Sequence, residues 1–119
     1  MTKFEVFSTE VDLIEVKAGE VIFKEGDAGD FMYAVIEGQV ELTVRDLFLN
    51  TVKELEIFGE MAIINQKPRS ATATAKSDCK ITKIDQERFL RMVVLTPMFA
   101  IQVMEVLSDR LRRLTHFTK

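Results

Sequence analysis

Cysteine, histidine, proline and tryptophan are scarce or missing in this sequence, and these absences exclude several kinds of site. The single cysteine, Cys79, cannot form an internal disulfide. The single histidine, His116, cannot supply the two or more histidines that a metal-dependent barrel enzyme generally uses, so no metal site is predicted. The body of the fold has no histidine that could act as a base for Ser70 or Cys79. Nucleophilic catalysis is therefore not predicted, and neither is an enzyme.

Long hydrophobic runs are absent as well. No run of about 18 apolar residues occurs, so no transmembrane helix and no membrane partner are predicted. The N-terminus carries Glu5, Glu10 and Asp12 and has no signal-peptide pattern, which by default predicts a cytoplasmic protein. The net charge of −3 argues against direct DNA binding by the chain as a whole.

What is present indicates a β-rich domain followed by helices. The chain of 119 residues is long enough for one hydrophobic core, so a single domain over 1–119 is predicted. Within about 12–84, short apolar segments are separated by glycine-containing turns. Val40, Leu42 and Val44 alternate with polar residues, which is typical of a half-buried strand. A hairpin turn is expected within 45–50. Short strands separated by such turns predict a β-barrel or jelly roll.

The hydrophobic period changes after this region and predicts two helices over about 85–115. Asp85 is suited to cap a helix over 86–94. Thr96 and Pro97 open a second helix, since proline suits the first helical position. The apolar residues of this second helix follow helical spacing. They are Ala100, Val103, Met104, Leu107, Leu111 and Leu114.

The segment 58–75, FGEMAIINQKPRSATATA, concentrates the residue types that hold a small anion. Gly59 permits a positive φ or a close backbone approach. Glu60 can accept hydrogen bonds from hydroxyl groups. The helical turn predicted at 61–65 presents free N–H groups to a phosphate. Arg69 offers a planar set of donors that matches phosphate oxygens.

The order and spacing of these residues resemble the phosphate-binding cassette of the cyclic-nucleotide-binding domain family, of the catabolite activator and protein kinase A regulatory subunit type. The resemblance covers about 13–114. It implies a double-stranded β-helix (jelly roll) of about eight strands, with the cassette inside it and C-terminal hinge and lid helices. The matching cassette residues are Phe58-Gly59-Glu60, Met61-Ala62 and Arg69-Ser70-Ala71.

The resemblance also implies a role for each cassette residue. Glu60 would accept a hydrogen bond from the ribose 2′-hydroxyl, and Arg69 would bind the equatorial phosphate oxygens. Ser70 and the backbone N–H of Ala62 would add donors to the phosphate, while Gly59 leaves room for the backbone. Met61 and Ala71 complete the predicted cassette. From pattern alone, Ser70 is equally well explained as a small residue at a tight strand start.

Four residues outside the cassette belong to the predicted ligand site by resemblance. Leu42 and Leu49 align with positions that line the base, Arg110 with an arginine that reaches towards the cassette glutamate, and Leu114 with a position on the closing helix. Pattern alone describes the two leucines as inward-facing core residues and the helix as amphipathic. For the leucines the two interpretations are compatible, because a purine lies against apolar walls.

The resemblance implies a non-enzymatic regulatory sensor whose ligand is cAMP rather than cGMP, since Ser70 is similar to the residue in bacterial regulators. One alternative is a nucleotide-free interaction module on the same fold. It is motivated by the turn before Phe58, at 52–57, which lacks the glycine common in the family and thereby predicts a changed turn type or backbone strain at Leu55. Another is the effector part of a transcription regulator that lacks its DNA-binding domain.

Partners are less constrained than the ligand. Met98, Phe99 and Met104 add apolar bulk to the last helix, which favours a homodimer through this helix, although packing against the chain's own roll explains the same residues. An effector protein of unknown identity is expected. If the 119 residues are complete, the domain stands alone, without a DNA-binding, kinase-inhibitory or channel segment.

Overall fold

A computed structural model describes residues 13–64 and 67–117, and in this part of the chain eight short strands form two antiparallel four-stranded sheets. One sheet has the order β1-β8-β3-β6 and the other β2-β7-β4-β5, so the chain repeatedly crosses between the sheets. The predicted eight-stranded jelly roll is confirmed. The strands are β1 Leu13–Val16, β2 Val21–Phe23, β3 Met32–Glu37, β4 Val40–Val44, β5 Leu47–Val52, β6 Ile57–Phe58, β7 Thr72–Ala75 and β8 Cys79–Ile84.

The hairpin between β4 and β5 closes without glycine. Val44 pairs with Leu47, so the loop has only two residues, Arg45 and Asp46. Their φ angles are 53° and 66°, which gives the primed type of turn that matches the twist of paired strands. The hairpin turn predicted at 45–50 is therefore confirmed, and its backbone adopts the left-handed region with two non-glycine residues.

In the described part of the chain three helices accompany the sheets: α1 Met61–Ile64, α2 Gln86–Leu95 and α3 Met98–Phe117. Asp85 caps α2 as predicted, because its Oδ1 accepts from the backbone N–H of Arg88 at 2.8 Å. Among the described residues, no single helix has the length and hydrophobicity to cross a membrane. By those criteria alone α2 and Met98–Asp109 of α3 qualify together, as a pair bent by 119°.

Two hydrophobic clusters hold these layers together. One lies between the two sheets and includes Val35, Leu42 and Phe58, together with the buried thiol of Cys79. The other joins the roll to the helices, because Ile63 of α1 packs in the same cluster as Met92 of α2 and Phe99 of α3. The short cassette helix thus shares its core with both C-terminal helices. The buried members of this second cluster are Met32, Ala34, Ile57, Ile63, Ile84, Met92, Phe99, Val103 and Val106.

The turn that precedes β6 has the strain that the missing glycine predicts. Leu55 has a φ of 63°, a left-handed conformation that residues other than glycine, asparagine and aspartate seldom adopt. Its backbone N–H donates to the carbonyl of Val35 at 2.6 Å, and the N–H of Val35 donates to the carbonyl of Glu56 at 3.0 Å. These hydrogen bonds tie the turn to β3 and hold the approach to Phe58 in place.

Candidate functional site

The cassette begins where β6 ends and the chain turns sharply into α1. Gly59 has a φ of 75°, which favours glycine. A Cβ atom at Gly59 would lie only 2.8 Å from Nη1 of Arg69 and 3.2 Å from Cε2 of Phe23. The position therefore requires glycine for two reasons, backbone angle and space. The close approach brings the backbone of the cassette against the arginine.

Arg69 reaches into the roll from the segment before β7. The residue is only 7% exposed. Nη1 donates to the carbonyl of Gly59 at 3.1 Å, and Cζ lies 4.1 Å from the centre of the Phe23 ring. The backbone is held as well, since the N–H of Arg69 donates to the carbonyl of Asp27 and its carbonyl accepts from Gly26, both at 2.8 Å. Arg69 is thus held both at its backbone and at its guanidinium.

The charge of Arg69 is left without a direct counter-ion. Burial lowers its pKa, and the opposing influences of Tyr33, Asp30, Asp27 and Glu60 only partly restore it. Within residues 13–64 and 67–117, Arg69 forms no ion pair, and its buried Nε has no hydrogen-bond partner. A buried donor that is left unsatisfied costs about 1–3 kcal/mol. An anion bound at this point would satisfy both the charge and the donor.

Glu60 is the other buried charged residue of the described chain, with 3% exposure. It follows Gly59 directly and lies on the wall of the same cavity as Arg69. Charged side chains are rarely buried unless they have partners or a function, and here two of opposite sign line one pocket. The arrangement can offer an acceptor to a hydroxyl group and donors to an anion on a single ligand.

The pocket encloses about 60 Å³. Sites that enclose a whole small ligand usually have about 300–1,000 Å³. This pocket therefore encloses only one end of such a ligand, and the rest must lie in its mouth. Its walls combine the cassette with the inner faces of β2, β4 and β5. The lining residues are Phe23, Leu42, Leu49, Gly59, Glu60, Met61, Arg69, Ser70 and Ala71.

Most of the residues predicted from the sequence come together here. Leu42, Leu49, Gly59, Glu60, Met61, Arg69, Ser70 and Ala71 all line this one pocket, although Leu42 and Leu49 come from a different hairpin. The side chains of Ala62, Arg110 and Leu114 lie outside the described part of the structure, and their proposed contacts stay predictions.

Two residues of the site were missed by sequence reasoning. Phe23 lies under the guanidinium, and the centre of the Tyr33 ring is 5.7 Å from its Cζ. The sequence pattern predicts both Phe23 and Tyr33 only as inward-facing strand residues. Nothing in their local pattern connects them to an arginine far along the chain.

Two broader depressions, of about 630 and 590 Å³, are larger than the cassette pocket. Charged residues on their walls, such as Asp30, Glu87 and Arg91, are exposed to solvent. Exposed charges are already hydrated and need no ligand. The small pocket is the stronger candidate because its charges are buried.

An eight-stranded roll with a buried arginine and glutamate at a glycine turn defines a small-molecule-binding β-roll domain. The chain belongs to the cyclic nucleotide-binding domain family, whose sequence model matches residues 13–94. It is similar to the cAMP-dependent protein kinase regulatory subunit of Emericella nidulans, with 35% identity over 85 residues, 70% of this chain and 21% of that protein. The chain thus spans about a fifth of the length of this curated relative.

Solved structures give the same assignment. A structure of cAMP-bound PfPKA-R superposes with a TM-score of 0.79 and 26% identity, covering 90% of this chain and 37% of that one. The catabolite activator protein of Thermus thermophilus superposes with a TM-score of 0.78 and 27% identity, covering 90% of this chain and 53% of that one. Other similar structures include the EAL enzyme Bd1971 in its cAMP-bound form, with a TM-score of 0.66 and 32% identity, covering 90% of this chain and 30% of that one.

Proposed function

We propose that this chain is a non-enzymatic sensor domain that binds a cyclic nucleotide, with cAMP preferred over cGMP. The observation that carries the proposal is the burial of Glu60 and Arg69, opposite charges without a mutual ion pair, on the walls of one pocket. A cyclic nucleotide presents a ribose hydroxyl and an anionic phosphate a short distance apart. One ligand could therefore contact both residues, with its phosphate at the donors of Arg69 and its hydroxyl at the carboxylate of Glu60.

The cyclic phosphate would lie against Arg69, with further donors from Ser70 and the backbone N–H of Ala62. The ribose 2′-hydroxyl would donate to Glu60. The base would extend from the narrow pocket along Leu42 and Leu49, where apolar walls suit a purine face. The C-terminal helix, with Arg110 and Leu114, would close over the base.

Two observations support cAMP. The hydroxyl residue after the arginine is Ser70, as in the bacterial regulators that the sequence resembles. The relatives reported above also include proteins named for dependence on cAMP or solved with cAMP bound. Parallel titration with cGMP tests this preference directly.

Signalling would run through the core that α1 shares with the C-terminal helices. Ile63 packs in the same cluster as Met92, Phe99 and Val103. A ligand held by the cassette would favour one position of α1, and the packed helices would follow, because a ligand shifts the population towards the state that it binds better. An effector protein would read the position of α3.

A homodimer through α3 is the second part of the proposal. The exposed side of α2 and α3 carries large apolar side chains that neither the roll nor the other helix covers. Such patches are typical of interaction surfaces. The residues are Leu90, Val94, Leu95, Met98, Ile101, Met104 and Leu111.

Calorimetric titration with cAMP and cGMP tests the function, with Arg69→Ala as the variant. Hydrogen bonds to charged groups contribute about 1.5–3 kcal/mol, so the affinity of Arg69→Ala should fall about 10- to 100-fold. Arg91→Ala is the matched control, because Arg91 is exposed and pairs with Glu87 on α2, and it should bind like the wild type. Equal affinity of wild type and Arg69→Ala would contradict the proposed site. No binding of either nucleotide by the wild type would favour a nucleotide-free interaction module.

A further inference from the structure

Arg69 is held by aromatic rings where a buried cation would ordinarily be held by a carboxylate. We propose that Phe23 is a positioning residue for ligand binding: its ring fixes the guanidinium of Arg69 while leaving the positive charge available to the anion. This inference rests on the proposed function. It makes ligand binding depend on a residue outside the cassette, because Phe23 lies on β2.

The support consists of three packed rings, Phe23, Tyr33 and Phe58, called here the ring cluster. The ring centres lie 5.2–6.0 Å apart, at interplanar angles of 21–30°. Cζ of Arg69 is 4.1 Å from the centre of Phe23 and 5.7 Å from that of Tyr33, whereas Phe58 contributes no such contact. A cation over a ring face is attracted by the ring quadrupole, and desolvation strengthens this attraction. Phe23 is therefore the main support of the charge.

A bulge in β2 turns Phe23 towards the arginine. In a regular strand, residues two apart lie on the same face, so Val21 and Phe23 would be equally exposed. Val21 is in fact exposed, whereas Phe23 is buried. The register of β2 against β7 shifts between these positions, so that Val21 pairs with Thr74 and Phe23 with the inward-facing Ala73. Bulges commonly redirect one side chain. Without this one, Phe23 would share the outer face with Val21.

The choice of a ring has a chemical consequence. A carboxylate at the same place would fix the guanidinium equally well, but it would also neutralise the charge and occupy its donors. The carboxylates of Asp27 and Asp30 act on the guanidinium of Arg69 only through space, and neither forms an ion pair with it. A ring accepts no strong hydrogen bond, so the donors stay available. Arg69 is thereby ordered in advance, which lowers the entropy cost of binding.

The neighbouring glycine on the β2–β3 loop completes the slot. A Cβ atom at Gly29 would lie 2.6 Å from Nη2 of Arg69, so a side chain there would displace the guanidinium. Gly59 leaves room in the same way near Nη1. The guanidinium therefore lies between two glycines and the ring of Phe23. Its orientation follows from packing before any ligand arrives.

The test replaces Phe23 with mono-, di- and trifluorophenylalanine, which weakens the ring quadrupole at nearly constant volume. Affinity for cAMP should fall stepwise with fluorination, by roughly three- to tenfold in total. The same series at Phe58 is the matched control, because this ring packs in the ring cluster without facing Arg69, and it should leave affinity unchanged. In an Arg69→Gln background, fluorination at Phe23 should have no effect on the remaining affinity.

The outcomes separate this inference from the proposed function. If the wild type binds cAMP but fluorination at Phe23 leaves affinity unchanged, or changes it no more than at Phe58, the positioning role is wrong and the sensor stands. A wild type that binds neither cAMP nor cGMP overturns both. Thermal unfolding of each fluorinated protein confirms that the fold is kept, and Phe23→Leu, with a larger loss expected, is a second variant that needs no unusual amino acid.

Discussion

Arg69 imposes a cost on the folded chain before any ligand binds. Removing a charge from water costs several kcal/mol unless partners repay it. Arg69 has one hydrogen bond from Nη1 and the ring of Phe23, but no carboxylate contact in the described chain. A site that is incomplete without an anion is the simplest physical reason for keeping this charge buried.

The proposed role of Glu60 predicts a difference between two ligands. Glu60→Gln keeps the shape of the side chain and removes its charge, so affinity for cAMP should fall roughly tenfold, the lower end of the range for hydrogen bonds to charged groups. 2′-Deoxy-cAMP has no hydroxyl for Glu60, so wild type and Glu60→Gln should bind it about equally. Parallel calorimetry measures both. An equal loss for both ligands would show that Glu60 acts through the fold and not through the ribose.

Tyr33 predicts a pH dependence at the same site. Burial raises its pKa above the ordinary 10.0, and the nearby charge of Arg69 only partly opposes this. Since the folded-state pKa exceeds the unfolded one, the stability that it contributes is complete below about pH 10 and is lost as the pH rises through the folded pKa. Tyr33 is the only tyrosine of the chain, so the ultraviolet absorbance of tyrosinate reports it alone. A midpoint at or below 10.0 in the folded protein would contradict the burial described here.

At the scale of elements, the turn at Leu55 is a point of backbone strain next to β3 and β6. Left-handed backbone costs an L residue about 1–2 kcal/mol. The cost is tolerated because the turn is tied to β3 by the hydrogen bond from Leu55 to Val35. The altered turn is therefore held against β3 directly before β6 and Gly59.

This strain can be measured with a pair of truncations. Leu55→Gly and Leu55→Ala both remove the side chain, but only glycine accepts the φ of 63° without strain. Leu55→Gly should therefore be more stable than Leu55→Ala by about 1 kcal/mol in denaturant unfolding. At the neighbouring Glu54, whose φ is not positive, the order should reverse. Equal stability of the Leu55 pair would contradict the left-handed turn.

At the scale of the whole molecule, the cassette helix and the C-terminal helices share one hydrophobic cluster. Ile63 of α1 packs in the cluster that holds α2 and α3 on the roll, and Phe89 of α2 meets Phe99 of α3 edge-on at 5.5 Å. We therefore propose that a change at the cassette reaches the helices through this packing. The opposite side of these helices is apolar and exposed, which is where a partner subunit would read the change.

The proposed homodimer is tested with Met104→Glu. Met104 is 58% exposed on α3, so the substitution should leave the fold intact while placing like charges in the seam. Sedimentation should show a concentration-dependent dimer for the wild type and a monomer for Met104→Glu. Val21→Glu is the control, because Val21 is a similarly exposed apolar residue on β2, away from α3, and it should stay dimeric. A monomeric wild type at high concentration would contradict the dimer.

The sequence by itself determined the parts that depend on local rules. Alternation at Val40, Leu42 and Val44 predicts β4, and Asp85 predicts the start of α2, since strand faces and helix caps depend on residues only a few positions apart. The cassette was recognisable for the same reason, because Gly59, Glu60 and Arg69 lie within one short segment. The strain at Leu55 also followed from the absence of a single glycine.

Only the tertiary structure decided how the arginine is held. Phe23 faces Arg69 because of a bulge in β2 against β7, and a bulge is a property of two paired strands that neither strand shows alone. The two-residue β6 is likewise too short to have a period, and it exists as a strand because Tyr33 and Ala34 of β3 pair with it. Contacts between residues far apart in the chain depend on the packing of the whole roll, and this is why the support under the binding site is visible only in three dimensions.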